Sequence, residues 1–523
     1  MGYKESQTDK RLKSWFENDM SSRLLRSVSL GFGGIRGLKE FKIEFNYPIS
    51  AVAGRNGSGK TTLLALAACA FHNETNGFRL PSGKISYYTF SDFLIQSKDE
   101  VSPDGIYVEY EIAYDHWATS HEDIESIGIN SQELVKMPGG KWRTYSNRIY
   151  RTVIFFGIDR VVPHSEKSVS KSYRSAFKKS LANGCEEKVR AAVGKVLGKT
   201  YDEFYFKSHS KYRLPFVKKE GVQYSGFNMG AGENALFEIF YNLNVCPEGT
   251  LAIIDEIELG LHQEAQKRLI AELKSICLAR KIQIICTTHS PAILCEIPTS
   301  GRFYIENQSK KTNIIPGVSG EFATGKLSGD NSCELFLYVE DTMAASILNA
   351  VLGRTLRSRV KVVPIGSDAA IVTILAGKRK EGLSSNYLGI FDGDKRTSRS
   401  KQIKLFLKRL ESFEDKSAEL AWIQQRLITL PGDSWPERWL VSKVKTSVNS
   451  ALESNLGATS DEILEAIASA EQAEKHSEIF EFSQKVHLAK GSVEQVLCAH
   501  VAKIYNDEFS DLIQAIGDLL EQN

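Results

Sequence analysis

The stretch Gly54-Arg55-Asn56-Gly57-Ser58-Gly59-Lys60-Thr61 is a complete G-x-x-x-x-G-K-[ST] phosphate loop. The apolar run Ile49–Ala53 precedes it, and Thr62-Leu63-Leu64-Ala65-Leu66-Ala67 reads as the opening of a helix. Strand, glycine turn and helix are what nucleotide chemistry needs. Backbone N–H groups around Gly54, Asn56, Gly57 and Gly59 would close on phosphate oxygens, and the helix start at Thr62 adds its positive end. Lys60 would reach the β/γ-phosphates, and Thr61 would hold Mg²⁺. The expected ligand is ATP.

A second signature lies downstream. Leu251-Ala252-Ile253-Ile254 reads as a buried strand ending in Asp255-Glu256. Asp255 is placed to hold the Mg²⁺ shell, and Glu256 to orient or deprotonate the attacking water. A further strand, Ile282–Thr288, ends at His289-Ser290-Pro291, where His289 could sense the γ-phosphate. Between them lies Phe227-Asn228-Met229-Gly230-Ala231-Gly232-Glu233-Asn234, followed by a helical pattern. This segment resembles the ABC-type signature, and the order of motifs is similar to that of ABC ATPase heads in SMC-like and RecF-like proteins. The resemblance implies that Gly230 and Gly232 contact nucleotide held by a second subunit, so the chain is expected to dimerise. It also makes Gln96 a candidate Q-loop residue. The usual signature serine is replaced by Gly230.

In the second half, Leu335–Val339 reads as a strand ending at Glu340, and Tyr387–Phe391 as one leading into Asp392-Gly393-Asp394. A helical segment from Thr342 and a strand at Val360–Ser367 lie between, so a small parallel α/β domain is expected. Carboxylates at strand tips suit Mg²⁺, and a pair of such ions serves phosphodiester chemistry. Taken alone, Asp392-Gly393-Asp394 reads as a turn.

With Glu340 upstream on its own strand, the set resembles the TOPRIM domain of topoisomerases, primases and OLD-family nucleases. An ABC head followed by TOPRIM resembles the OLD (overcoming lysogenisation defect) family over most of residues 24–445. That family includes the Gabija nuclease and retron-associated effectors. The resemblance implies an ATP-regulated, metal-dependent DNA endonuclease of antiviral defence, with Glu340, Asp392 and Asp394 as metal ligands and Mn²⁺ able to replace Mg²⁺. It implies a DNA substrate, a homodimer or larger homo-oligomer, and a partner such as a retron RNA–DNA complex or a helicase. Leu430–Arg438 is similar to a further family segment, which adds Glu437 as a metal ligand. Two positions depart from the pattern: Asp341 stands where the family has glycine, and Ala344 where it often has an acid. That departure supports an alternative, an ABC-type sensor or scaffold with a degenerate TOPRIM domain. A basic group near the scissile phosphate is also needed, and Lys395, Lys485 and Lys490 are its candidates.

The positioning elements follow. At 523 residues the chain exceeds one ordinary domain. Its 42% hydrophobic and 25% charged composition is that of a soluble globular protein, and a net charge of +2 leaves any nucleic-acid patch local. Eight cysteines without a C-x-x-C pair fit a reducing cytoplasm, and no run of about eighteen apolar residues predicts a membrane span. The fold class expected is α/β: an ABC-type head over 1–325 with a helical or dimerising arm inserted at about 100–225, a TOPRIM domain over 330–445, and helices over 446–523. Within the arm, residues 164–199 carry nine Lys/Arg against three Glu, which is either a solvated helical face or a DNA-facing one. Seven basic residues from Lys395 to Arg409, with no acid among them, read the same two ways. Glu306–Lys311 and Gly317–Gly329 are expected to be linkers.

Overall fold

Every residue of Ile49–Gly54, Leu251–Ile254 and Gln283–Thr287 is buried, as central strands of a sheet covered on both faces must be. The computed structural model describes residues 3–80, 86–95, 105–117, 126–137, 142–143, 145–162, 176–209, 212–308, 311–328, 333–382 and 387–521. The chain divides into two compact units, 3–330 and 331–523.

The first unit is built on a six-stranded sheet in the order Thr312–Pro316, Arg302–Asn307, Ile49–Gly54, Gln283–Thr287, Leu251–Ile254, Val153–Phe156. All neighbours pair in parallel except the edge hairpin Arg302–Asn307/Thr312–Pro316. That hairpin corrects one expected linker, since Gln308 and Lys311 close its turn by a backbone hydrogen bond. The other expected linker is also ordered: Gly320–Ser328 is a helix with Phe322 and Ala323 buried in the core. The phosphate-loop strand lies beside Gln283–Thr287, which in turn lies beside Leu251–Ile254. Their C-terminal ends therefore open on one edge.

The expected helical arm at 100–225 is corrected. Its described residues form mostly antiparallel strands. Ile106–Tyr114 and Gly128–Lys136 extend a sheet with Leu24–Phe32, Phe41–Glu44 and Trp142–Arg143, while Lys178–Lys179, Glu203–His209, Tyr212–Lys219 and Val222–Ser225 form another. The physical reason is period-2 patterning: Ile106, Val108, Tyr110 and Ile112 face the core while Tyr107, Glu109 and Glu111 do not. Glu186–Leu197 is the one α-helix among the described residues of that stretch. It buries Val189, Val193 and Val196, and its Lys195 pairs with Glu272 at 3.2 Å. Lys167, Lys171 and Arg174 lie outside the described residues, as does Gln96.

The second unit carries a four-stranded all-parallel sheet in the order Val360–Pro364, Leu335–Val339, Tyr387–Phe391, Leu427–Thr429. Helices Thr342–Val351 and Asp368–Lys380 follow the first two of its strands in the chain and pack on the sheet. The C-terminal helices are not a separate module. Leu440, Ile467, Phe482, Leu497 and Ile516 share one core with Leu337, Val339 and Leu348. Helix Ser460–Glu471 is capped by Thr459 in a capping box with Glu462.

Glu334 at the head of the central strand is fully buried against Arg359, whose guanidinium donates to its carboxylate. Breaking a buried pair from one side leaves an uncompensated charge. Glu334→Ala should lower the stability of the second unit by about 3–5 kcal/mol, read as a shifted urea midpoint for that transition in the full chain.

Candidate functional sites

Helix Lys60–Ala68 begins at the C-terminal end of its strand, and the turn between them needs left-handed glycines. Gly57 has φ +77° and Gly59 φ +94°. A Cβ at Gly59 would also stand 2.3 Å from Leu38 Cδ2, so only glycine fits. Gly54 is the last residue of the buried strand, Asn56 is exposed on the turn, and Thr62 is buried in the helix. Lys60 Nζ donates to the carbonyls of Gly54 (2.8 Å) and Arg55 (3.2 Å). Burial pulls its pKa down, while Glu256, Asp255 and Glu258 act in the opposite sense.

Asp255 is the joint of this site. Thr61 Oγ1 donates to its Oδ2 at 3.0 Å, and Thr287 Oγ1 to its Oδ1 at 2.5 Å. Thr287 Oγ1 also accepts the backbone N–H of Glu256 at 2.8 Å. Glu256 sits at φ +46°, an uncommon conformation for a residue with a Cβ. Two contributors were absent from the sequence reading. Arg160, buried, donates to the carbonyls of Asp255 and Glu256, each at 2.6 Å. Glu258 accepts the backbone N–H of His289 at 2.6 Å. Burial, then the charge of Lys60, lowers the His289 pKa, so its ring is neutral near pH 7. The structure thus brings Lys60, Thr61, Asp255, Glu256 and His289 to one edge.

Gly230 caps helix Ala231–Val245, and a Cβ there would meet nothing within 4 Å. Gly232 is the opposite case: a Cβ would lie 2.2 Å from the Gly260 carbonyl oxygen, so the two turns touch backbone to backbone. Thr287→Val keeps the shape but removes both hydrogen bonds. ATP hydrolysis should fall by roughly 10–100-fold with nucleotide affinity little changed, measured by steady-state phosphate release beside equilibrium binding of a fluorescent ATP analogue.

The second unit gathers its acids at the C-terminal edge of its own sheet. Glu340 follows strand Leu335–Val339, and its Oε1 accepts the backbone N–H of Asp392 at 3.0 Å. Asp392 is 5% exposed, and burial raises its pKa to about 8, with Glu340, Asp341, Asp394 and Glu437 adding to the effect. Burial also raises the pKa values of Glu340 and Glu437 from their ordinary position. Among the described residues, Asp392 Oδ1 and Asp394 Oδ1 are buried without a hydrogen-bond partner. Asp394 Oδ2 meets Lys395 at 3.3 Å and Lys475 at 3.7 Å.

Of the basic candidates, Lys395 is therefore at the acids, and burial opposes while Asp394 and Glu340 raise its pKa. Lys485 pairs instead with Glu465 at 2.9 Å, and Lys490 opens helix Lys490–Ile504. Ala344 is fully buried, and its N–H donates to Asp341 Oδ1 at 2.8 Å. Asp368, Lys475 and His476 join the surroundings of the acids without any signal in local spacing.

The raised Asp392 pKa has a defined sign. An unfolded aspartate titrates near 3.9. Between about pH 4 and about 8 the folded chain thus keeps a proton that the unfolded chain releases, and stability falls as pH rises. In chelator, Asp392→Asn should raise the melting temperature of the second unit by several degrees at pH 8.5 and change it little at pH 5, followed by calorimetry.

Comparison with known proteins places these sites in context. Residues 29–188 match a family model described as "AAA domain", and residues 222–295 one described as "AAA domain, putative AbiEii toxin, Type IV TA system". The chain is 24% identical over 304 residues to the Septu protein PtuA of Bacillus thuringiensis, covering 50% of this chain and 71% of that protein. Among solved structures it is similar to the SMC head domain from Thermotoga maritima, at 15% identity and TM-score 0.34 over 56% of this chain and 98% of the other. A Pyrococcus furiosus Smc head with an extended coiled coil, bound to the C-terminal domain of ScpA, gives 13% identity and TM-score 0.34 over 56% and 95%. The chain carries an AAA-type ATPase domain, which implies nucleotide binding with the usual Mg²⁺ dependence. No helix among the described residues is long and apolar enough to cross a membrane.

Proposed function

We propose that the protein is an ATP-regulated, metal-dependent DNA endonuclease of the OLD type, acting in bacterial defence against phage. The observation that carries this reading is the convergence of Glu340, Asp392 and Asp394 on one sheet edge, with two buried carboxylate oxygens left unpaired. Burying like charges is costly unless something positive offsets them, and hard oxygen donors suit Mg²⁺ or Mn²⁺. Bound there, such an ion would activate the attacking oxygen and stabilise the leaving one. Lys395 is the basic side chain nearest the scissile phosphate in this reading. Helix Arg399–Leu410, which buries Gln402, Phe406 and Leu410, keeps Lys401, Lys404, Lys408 and Arg409 for a nucleic-acid backbone. The partial likeness to a Septu protein accords with the defence setting.

In the ATPase domain, Lys60 would move from the loop carbonyls onto the β/γ-phosphates. Thr61 and Asp255 would hold Mg²⁺, Glu256 would orient water, and neutral His289 would face the γ-phosphate. A second copy would supply Gly230 and Gly232, whose loop has open space beside Gly230. A retron RNA–DNA complex or a helicase is the kind of partner this family uses. The reading as a non-cutting sensor rests on one observation: Ala344, in the place of an acid, is buried in the core.

Purified protein with Mg²⁺ or Mn²⁺ should nick or cut supercoiled plasmid. Asp392→Ala/Asp394→Ala should abolish cutting with ATP hydrolysis intact. Lys60→Ala should abolish hydrolysis and change the ATP dependence of cutting. Cutting that survives the double aspartate substitution would sink the nuclease assignment. Hydrolysis without cutting in any metal or nucleotide would favour the sensor.

A further inference from the structure

We propose that Asp341, Glu437 and His476 form a second cation site of mixed oxygen and nitrogen character, suited to a transition ion such as Mn²⁺ rather than to Mg²⁺. One ligand atom from each lies within 4.8 Å of the others. The proposal deepens the nuclease reading and rests on it for a catalytic role, though not for binding itself.

Each ligand is held by a different element. Asp341 caps helix Thr342–Val351 through Oδ1, which fixes the carboxylate and leaves Oδ2 to point elsewhere. Glu437 stands buried in the first turn of helix Pro436–Lys445, with its two oxygens 3.2 and 3.3 Å from His476 Nδ1. His476 lies between helices Ser460–Glu471 and Glu478–Lys485 at φ +69°. A residue with a Cβ pays for that conformation, and such outliers cluster where a side chain must be aimed. Lys475 beside it reaches Asp394, so the same loop touches both acid groups.

The neighbouring carboxylate, shared with the Glu340/Asp392/Asp394 group, bears on this trio as well. Asp392 is 5% exposed, its Oδ1 has no partner among the described residues, and the charges of Asp341 and Glu437 both bear on it. Excess negative charge with an unpaired buried oxygen is what a cation relieves. The imidazole bears on the metal: Mg²⁺ favours oxygen ligands and retains water, whereas first-row transition ions accept nitrogen, Mn²⁺ the most weakly among them.

The test is pulsed EPR on the nucleotide-free full chain titrated with Mn²⁺. Nitrogen-14 modulation from a coordinated imidazole is expected, and a tenfold excess of Mg²⁺ should leave it in place. His476→Asn suits the left-handed backbone; with unchanged thermal unfolding it should lose the modulation and one Mn²⁺ equivalent. Glu340→Gln should keep the modulation. Bound Mn²⁺ without nitrogen modulation, or modulation that persists in His476→Asn, would overturn the proposal and leave a His–Glu ion pair only. Modulation present in a protein that cuts no DNA would uphold the site and remove the nuclease reading.

Discussion

Carboxylates crowded out of water repel one another, and the second unit is arranged around that repulsion. Glu340, Asp392 and Glu437 are each buried, and Asp392 holds its proton into neutral pH. The chain opposes the crowding with what lies to hand. A backbone N–H satisfies Glu340, two lysines flank Asp394, and an imidazole faces Glu437. The helices after residue 446 matter here, because the loop carrying Lys475 and His476 belongs to them. Without the core they share with the sheet, the acids would lose Lys475 and His476.

The first unit solves a milder version of the same problem. Asp255 is also buried, but two threonine hydroxyls satisfy its oxygens, and Arg160 grips the carbonyls on either side of the following peptide. Neutral donors keep the carboxylate in place without quenching its charge. The two units thus present contrasting electrostatics, one pre-satisfied and one unsatisfied.

Much of this was legible in the chain. Unbroken apolar runs located the central strands, and the glycine spacing of residues 54–59 located the tight turn. The tips of Leu335–Val339 and Tyr387–Phe391 were also readable, because parallel neighbours place their ends together. What escaped were contacts made across long stretches of chain. Arg160 acts on carbonyls 95 and 96 residues away, and His476 on a carboxylate 39 residues away, so no local spacing marks them. The stretch at 100–225 departs from expectation for another reason. Its charge run suits a helical face, while the alternation in Ile106–Tyr114 points to strands. Composition spoke louder than period, and period was the better guide.

The backbone contact between Gly232 and Gly260 has a mechanical consequence. No side chain intervenes to compress or change rotamer, so the start of helix Ala231–Val245 and the turn beyond Glu258 behave as one stiff joint. A displacement of that helix would therefore press directly on the backbone of the turn that follows Asp255-Glu256. A lever built from two glycines transmits motion because it has nothing to yield.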